Sequence, residues 1–287
     1  MKQSAKKDSF SVRAPDGTNL QLHGFLAPEP RSTVVLLFPA MGAPGRAYAK
    51  VCSALAGRGY TTYAMDLRGT GESGPPPDRA HDFNYDTYLN SDWPAVVAAV
   101  REKFPNSGLV LAGHSIGAQL GLVYAGENPD AIRGLLLFTP NTPYYRCFSG
   151  AQALRFRLYF HLFPLLVRVL GYFPGDRLGF GGRNAAGVIR DWSYTGRTGL
   201  FRGSAGRSLE PAFAAVRAPV AAVSFADDTL APEAAAENIL GRLRPELVTR
   251  MTVPADPDRK TPGHFAFMRD STTWLDWAVS WLDTRVT

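Results

Sequence analysis

A serine that could act as a nucleophile lies at residue 115, within the segment 113–117, Gly-His-Ser-Ile-Gly. An apolar run at 108–112 precedes this segment, and a helical pattern at 117–126 follows it. A G-x-S-x-G pattern between a strand and a helix is typical of a sharp turn that exposes the serine hydroxyl. The glycines are expected because a side chain at either position would collide with the neighbouring strand or helix.

A serine hydroxyl needs a general base that takes its proton, and the base needs an acid that orients it. His264 lies in a loop before the last helical pattern, where the chain order serine, acid, histidine places the base. Asp227 and Asp228 both follow the apolar run at 220–225. The residues therefore predict His264 as the base and leave the acid open between the two aspartates.

The other four histidines are weaker candidates for a catalytic or substrate-binding role. His114 is adjacent to Ser115, and we expect it to pack against the site or support it. His23 lies on an early strand pattern and is interpreted as structural. His81, in a polar loop, and His161, in the middle of the chain, are candidates for contact with a substrate.

The elements that must position these residues alternate along the chain. Strands are predicted at 10–13, 20–26, 34–38, 60–65, 108–112, 133–138, 220–225 and 247–253. Helices are predicted at 47–56, 85–103, 117–126, 232–243 and 271–283. Alternating strands and helices form βαβ units, so we expect an α/β fold with a mostly parallel sheet and helices on both faces.

The segment 141–210 breaks this alternation without a sharp linker, and we interpret it as an insertion between two strands of one domain. The sequence thus divides into a core, 1–140 and 211–287, and the insertion. The insertion contains ten arginines, no lysine and three acids, so its net charge is +7. The rest of the chain has a net charge of −1, which gives +6 for the whole protein. It contains no nucleic-acid motif, and we expect no nucleic-acid partner.

The composition excludes several classes of protein. With 287 residues, 45% hydrophobic and 20% charged, the chain can bury a core and is not disordered. Cys52 and Cys147 form neither a disulfide scaffold nor a zinc motif, and the start lacks a secretory pattern. The longest apolar stretch, 158–170, is too short and too interrupted to span a bilayer. We therefore expect a soluble, cytoplasmic protein without an integral membrane segment. A mechanism based on a serine, a base and an acid implies no metal and no organic cofactor.

A second motif, Asp-Leu-Arg-Gly-Thr-Gly-Glu-Ser at 66–73, accompanies the serine motif. Together they resemble the α/β-hydrolase superfamily, in its serine esterase and lipase branch, over about 20–140 and 215–285. In that family the catalytic acid lies four residues before a proline, which implies Asp228, followed by Pro232, rather than Asp227. The family also inserts a helical cap after its sixth strand, which implies that 141–210 is a cap that shapes the acyl pocket.

The resemblance also implies two backbone N–H donors for the oxyanion. One is Ile116, the residue after the nucleophile. The other follows the third strand, where many members have His-Gly-x-Gly and this chain has Pro-Ala-Met-Gly at 39–42. Alignment of the last glycine implies Met41, and a backbone donor tolerates the changed side chains.

The family resemblance predicts a hydrolase that cleaves a small-molecule carboxylic ester, bulky and largely hydrophobic, through an acyl-enzyme on Ser115. A thioesterase, a macrolactone-opening esterase, an acyltransferase or a C–C hydrolase would use the same triad, and a non-catalytic receptor of this fold is a remote alternative. Within 141–210, Tyr159 and Phe160 are candidate substrate contacts. They belong to an apolar cluster that either packs on the core or lines the pocket: Phe156, Leu158, Tyr159, Phe160, Leu162, Phe163, Leu165 and Leu166.

Overall fold

One sheet of eight strands organises the structure, a computed structural model that describes residues 5–203, 206–258, 261 and 263–286. The strands of these residues are β1 (Lys6–Arg13), β2 (Asn19–Leu26), β3 (Thr33–Phe38), β4 (Thr61–Met65), β5 (Gly108–His114), β6 (Gly134–Phe138), β7 (Tyr172–Pro174), β8 (Arg183–Ala185), β9 (Val220–Phe225) and β10 (Val248–Val253). The short strands β7 and β8 pair with each other in a separate antiparallel hairpin.

The order of the main sheet is β1-β2-β4-β3-β5-β6-β9-β10. The pairs β1–β2 and β2–β4 are antiparallel, and all the others are parallel. Each predicted strand is present, and the expected α/β-hydrolase fold with a mostly parallel sheet is confirmed. In the parallel part, the carboxyl ends of β3, β5, β6, β9 and β10 meet at one edge, where ligands of such sheets bind.

Helices cover both faces of the sheet. In the described residues they are α1 (Ala49–Ala56), α2 (Tyr85–Thr87), α3 (Trp93–Lys103), α4 (Ile116–Glu127), α5 (Gly150–Leu170), α6 (Gly175–Leu178), α7 (Ala186–Thr198), α8 (Glu210–Ala215), α9 (Glu233–Leu240), α10 (Gly263–Ala266) and α11 (Leu275–Arg285). Alternate residues of β3 enter different clusters: Leu36 packs with α3 and α4, whereas Leu37 packs with α1 and α11. This two-sided burial explains the continuous apolar run of the strand.

The segment predicted as one helix at 85–103 is interrupted. One turn of π-helix, Tyr88–Asp92, separates α2 from α3, and the N–H of Trp93 bonds the carbonyl of Tyr88. Pro94 follows at the start of α3 and has no N–H to donate. The proline ring would collide with the carbonyl four residues earlier in a regular α-helix, so the wider turn accommodates it.

The segment 141–210 lies between β6 and β9 and contains α5, the β7–β8 hairpin, α6 and α7. Phe156, Phe160 and Trp192 pack in the same hydrophobic cluster as the core helices, so the packing continues from core to insertion. Val167 and Phe173 belong to a smaller cluster inside the insertion. Within the described residues, no helix is both long and apolar enough to cross a membrane, and this includes α5.

The motif at 66–73 forms a hydrogen-bonded hub between β4 and α3. The Arg68 guanidinium binds Asp92, which is fully buried, at 2.5 Å and Asp16, which is half exposed, at 2.6 Å. The Asp66 carboxylate accepts the N–H groups of Gly45 and Glu72. The motif therefore ties together the chain segments that contain Asp16, Gly45 and Asp92.

We expect Asp92→Ala to lower the free energy of unfolding by about 3 kcal/mol, because it leaves the Arg68 charge poorly compensated. Asp16→Ala is the matched control, since it removes the exposed partner of the same guanidinium and should cost less than about 1 kcal/mol. Urea denaturation measures both changes. Equal losses in the two variants would contradict the assignment of the stabilising pair to Asp92.

Candidate active site

Ser115 occupies the turn between β5 and α4 with a backbone φ of 53° and ψ of −115°. Residues with a side chain rarely adopt this conformation. The flanking glycines permit it: a Cβ at Gly117 would lie 2.0 Å from the Phe38 carbonyl oxygen, and a Cβ at Gly113 would lie 2.7 Å from the Ala118 nitrogen. The serine is thus held at the carboxyl edge of the sheet by a strained turn that only glycine neighbours allow.

A carboxylate and an imidazole form a buried pair at the same edge. His264 Nδ1 lies 2.8 Å from Asp228 Oδ2, and both side chains are at least 95% buried. The other oxygen, Asp228 Oδ1, accepts the N–H groups of Leu230 at 2.8 Å and Ala231 at 2.9 Å. Of the two aspartates left open by the residue pattern, the structure brings Asp228 to the imidazole, while Asp227 Oδ1 lies against the backbone of Gly263.

Aromatic packing anchors the loop that carries His264. Phe267 stacks on Phe138 with ring centroids 4.3 Å apart and meets His114 edge-on at 4.9 Å. Trp274 Nε1 donates to the Phe267 carbonyl at 3.2 Å. These contacts tie the base to β6 and to the strand that ends at the nucleophile.

His114 connects three parts of the site. Tyr48 Oη lies 2.7 Å from His114 Nδ1 and accepts the N–H of Ala40 at 2.9 Å. The His114 ring is fully buried, and its centroid is 4.9 Å from that of His264. Burial first, and the nearby imidazole second, lower the pKa of His114 well below its ordinary value. His114 is therefore a neutral structural residue that links the segment containing Ala40, the loop containing His264 and the turn at Ser115.

The candidate oxyanion donors lie on neighbouring backbone. Ile116 is the first residue of α4, where an N–H has no acceptor within the helix. Met41 lies in the turn three residues after Phe38, whose carbonyl packs against the Gly117 backbone. The arrangement keeps both segments beside Ser115, and their role as donors stays a prediction.

A pocket of about 70 Å³ lies at Ser115 and His264. Its other described lining residues are Gln119, Asn141, Pro143, Phe148, Phe156, Phe160, Phe180, Trp192 and Leu230. Gln119 Nε2 donates to Asn141 Oδ1 at 2.7 Å, and Gln119 Oε1 is buried without a hydrogen-bond partner among the described residues. The sequence reasoning missed Gln119 and Asn141, although one follows the serine by four residues and the other follows the end of β6.

A second pocket of about 320 Å³ lies under α5. Its described lining residues are Arg155, Phe156, Tyr159, Phe163, Phe173, Leu178, Phe180 and Leu230. Three of them, Phe156, Phe180 and Leu230, also line the pocket at the serine. The two pockets therefore adjoin, and apolar side chains from the insertion form the wall between them.

The structure separates the four candidate substrate contacts into two groups. Phe160 lines the pocket at the serine, and Tyr159 lines the adjoining pocket. His81 is half exposed and bonds Asp78, and His161 lies on the exposed face of α5 with Nδ1 bonded to the carbonyl of Arg157. Neither histidine is among the described residues that line the two pockets.

The apolar cluster predicted for the insertion is also divided. Phe156 and Phe163 face the pockets, whereas Leu158, Leu162 and Leu165 are about half exposed or more. The expectation that these three leucines pack on the core or line a pocket is wrong, because α5 buries only its opposite side. The described residues include no group of three or more His, Cys, Asp or Glu arranged to hold a metal ion.

The family model for Hydrolase_4, serine aminopeptidase S33, matches residues 28–255, which is more than half of the chain. The chain belongs to this family of α/β hydrolases. Over 143 residues it is 32% identical to "Putative carbamate hydrolase RutD" of Klebsiella pneumoniae (strain 342), which covers 44% of this chain and 50% of that protein.

Two further similarities involve a plant protein and a fungal structure. The chain is 32% identical over 93 residues to "Probable lysophospholipase BODYGUARD 2" of Arabidopsis thaliana, covering 32% of this chain and 18% of that protein. The matches thus span half or less of these curated relatives. The crystal structure of the α/β hydrolase GrgF from Penicillium sp. sh18 has a TM-score of 0.70 at 15% identity, covering 98% of this chain and 99% of that one.

Strain at the serine predicts an unusual order of stabilities. Ser115→Gly should be more stable to urea than Ser115→Ala by about 1–2 kcal/mol, because glycine adopts the backbone conformation of this turn without penalty. Ser53, inside α1, supplies the control. There Ser53→Gly should be less stable than Ser53→Ala by about 1 kcal/mol. The same order at both positions would show that the turn is unstrained.

Proposed function

We propose that this protein is a serine hydrolase that cleaves carboxylic esters of bulky hydrophobic acyl groups through an acyl-enzyme on Ser115. The observation that carries the proposal is the 2.8 Å contact between His264 Nδ1 and Asp228 Oδ2, with His264 and Ser115 on the wall of one pocket. Membership of a hydrolase family supports the class of reaction. The role of each atom in the proposed mechanism follows from the hydrogen bonds that these side chains already make.

In the proposed first step, Ser115 Oγ attacks the ester carbonyl and His264 accepts the hydroxyl proton. Nδ1 of the imidazole donates to Asp228, so Nε2 is the nitrogen left to receive that proton. The tetrahedral intermediate then collapses, the bond to the alcohol oxygen breaks, and His264 returns the proton to the departing alcohol. Asp228 holds the ring in this tautomer and stabilises its transient positive charge.

The N–H groups of Ile116 and Met41 are proposed to bind the negative oxygen of the intermediate. Losing one such donor typically costs about 3–4 kcal/mol of transition-state stabilisation. A water molecule then attacks the acyl-enzyme, with His264 as the base, and releases the acid and free Ser115. In this proposal the segment 141–210 is the cap, since its aromatic side chains close the pocket over the serine.

The adjoining pockets support a long acyl group as the substrate. The scissile bond would lie in the small pocket at Ser115, and the acyl chain would extend past Phe156 and Phe180 into the larger one. Apolar walls stabilise such a chain by about 25 cal/mol per Å² of buried surface. The plant relative that is named a probable lysophospholipase is consistent with a lipid-like acyl ester.

A carbamate is the second candidate substrate, on a separate observation. Gln119 Oε1 is a buried acceptor on the wall of the serine pocket, and no described residue of the chain donates to it, so it could accept a hydrogen bond from a substrate N–H. An ester of the same shape has no N–H to offer. The relative named as a carbamate hydrolase is consistent with this choice.

We expect esters of long-chain acids to be hydrolysed with a higher kcat/KM than acetate esters of the same alcohol, because the longer chain fills the second pocket. A panel of p-nitrophenyl esters, with matching thioesters, lactones and carbamates, measures this preference. Ser115→Ala should reduce every active substrate to background and should abolish labelling by a fluorophosphonate probe. Labelling that persists at another serine would overturn the assignment of the nucleophile.

The neighbouring aspartates provide a matched pair for testing the acid. Asp228→Asn should lower kcat by about 10⁴-fold, because the imidazole loses the partner that selects its tautomer. Asp227→Asn changes the adjacent carboxylate in the same way and should leave kcat within a few-fold of the parent. Steady-state kinetics on the best ester measures both, and a larger loss in Asp227→Asn would reverse the assignment.

A further inference from the structure

Helix α5 exposes a continuous apolar stripe. Leu154, Leu158, Leu162, Leu165 and Val169 follow one another at intervals of three or four residues, so they lie on one side of the helix. Each is between 47% and 68% exposed. At 1.5 Å per residue the stripe is about 22 Å long. Single exposed leucines are normal on a protein surface, whereas a continuous apolar stripe of this length is unusual.

Positive charge borders the stripe on both sides. At about 100° per residue, Arg157 and Arg168 follow one border and Arg155 follows the other. All three side chains are exposed, and α5 contains neither aspartate nor glutamate. An apolar face between basic side chains is complementary to an anionic membrane surface, which combines negative headgroups with an apolar interior.

The larger pocket opens beside the same stripe. Its lining includes Arg155, which borders the stripe, and Leu178, which is 55% exposed. Phe156 and Phe180 line both this pocket and the smaller one at Ser115, so the two pockets adjoin there. A flat surface in contact with the stripe would therefore lie near the opening of this pocket, which adjoins the pocket at the serine.

We propose that α5 docks on an anionic lipid bilayer, with its stripe among the upper parts of the acyl chains and its arginines against the lipid phosphates. The helix lies in the plane of the surface and does not cross it. Docked in this way, the protein takes a lipid acyl ester directly from the bilayer through the entrance beside Leu178. This second step, unlike the docking, rests on the proposed function.

Vesicle flotation tests the docking with the full-length protein. We expect the protein to float with vesicles of phosphatidylcholine and phosphatidylglycerol, and to float weakly with phosphatidylcholine alone. Leu158→Glu and Leu165→Glu should each weaken binding to the anionic vesicles by about tenfold or more, because each places a charge in the stripe. Leu200→Glu is the control, since Leu200 is 49% exposed in the insertion but lies outside α5.

A second set of variants tests the arginines that border the stripe. Arg157→Gln combined with Arg168→Gln should weaken binding to the anionic vesicles and leave binding to neutral vesicles unchanged. The proposal is overturned if the parent protein does not float with anionic vesicles, or if Leu158→Glu floats as well as Leu200→Glu. It is also overturned if the parent is a dimer in sedimentation that Leu158→Glu dissociates, because the stripe would then bind a second copy of the chain.

Hydrolysis separates docking from catalysis. Leu158→Glu should hydrolyse a short soluble ester at the parent rate and lose at least about tenfold of its rate on an acyl ester embedded in anionic vesicles. Flotation without hydrolysis of any ester would keep the docking and overturn the proposed function. Equal loss on soluble and embedded esters would overturn the delivery step.

Discussion

The close approach of α4 to the end of β3 is the contact on which the candidate site depends. At Gly117 the helix backbone comes so near the Phe38 carbonyl that no side chain fits between them. The chain can make this approach only through a turn that holds Ser115 at a positive φ. The same contact brings the first N–H of α4 next to the loop that contains Met41. One steric constraint thus sets the positions of the candidate nucleophile and of both candidate oxyanion donors.

The acid and the base come from parts of the chain that are more than 100 residues away from the serine. They meet because β5, β9 and β10 are parallel, so the loops after them leave the same edge of the sheet. Backbone N–H groups orient Asp228, and the packing of Phe267 between Phe138 and His114 orients the loop of His264. The pair of Asp228 and His264 is therefore buried in a position that the apolar core defines.

The apolar residues of α5 point in two opposite directions. Phe156 and Phe160 point inward and shape the pockets, whereas Leu158 and Leu165 point outward to solvent. A helix of this kind costs solubility unless its outer face has a partner. Docking on a lipid surface, as we propose, explains the outer face, the arginines beside it and the position of the pocket entrance together.

The sequence by itself determined the features that depend on local pattern. Buried strands and the glycine-flanked serine are encoded within a few residues each, so the sheet and the turn at Ser115 were predictable. The choice of His264 as the base came from the order of residues along the chain and stays a prediction. Without the family resemblance, only the tertiary structure decided which aspartate meets the imidazole. Only the tertiary structure also showed that Gln119 and Asn141 line the pocket. It also decided that His81 and His161 lie outside it. Because α5 carries apolar residues on two opposite sides, its periodicity could not indicate which side is buried. The packing of neighbouring helices made that choice.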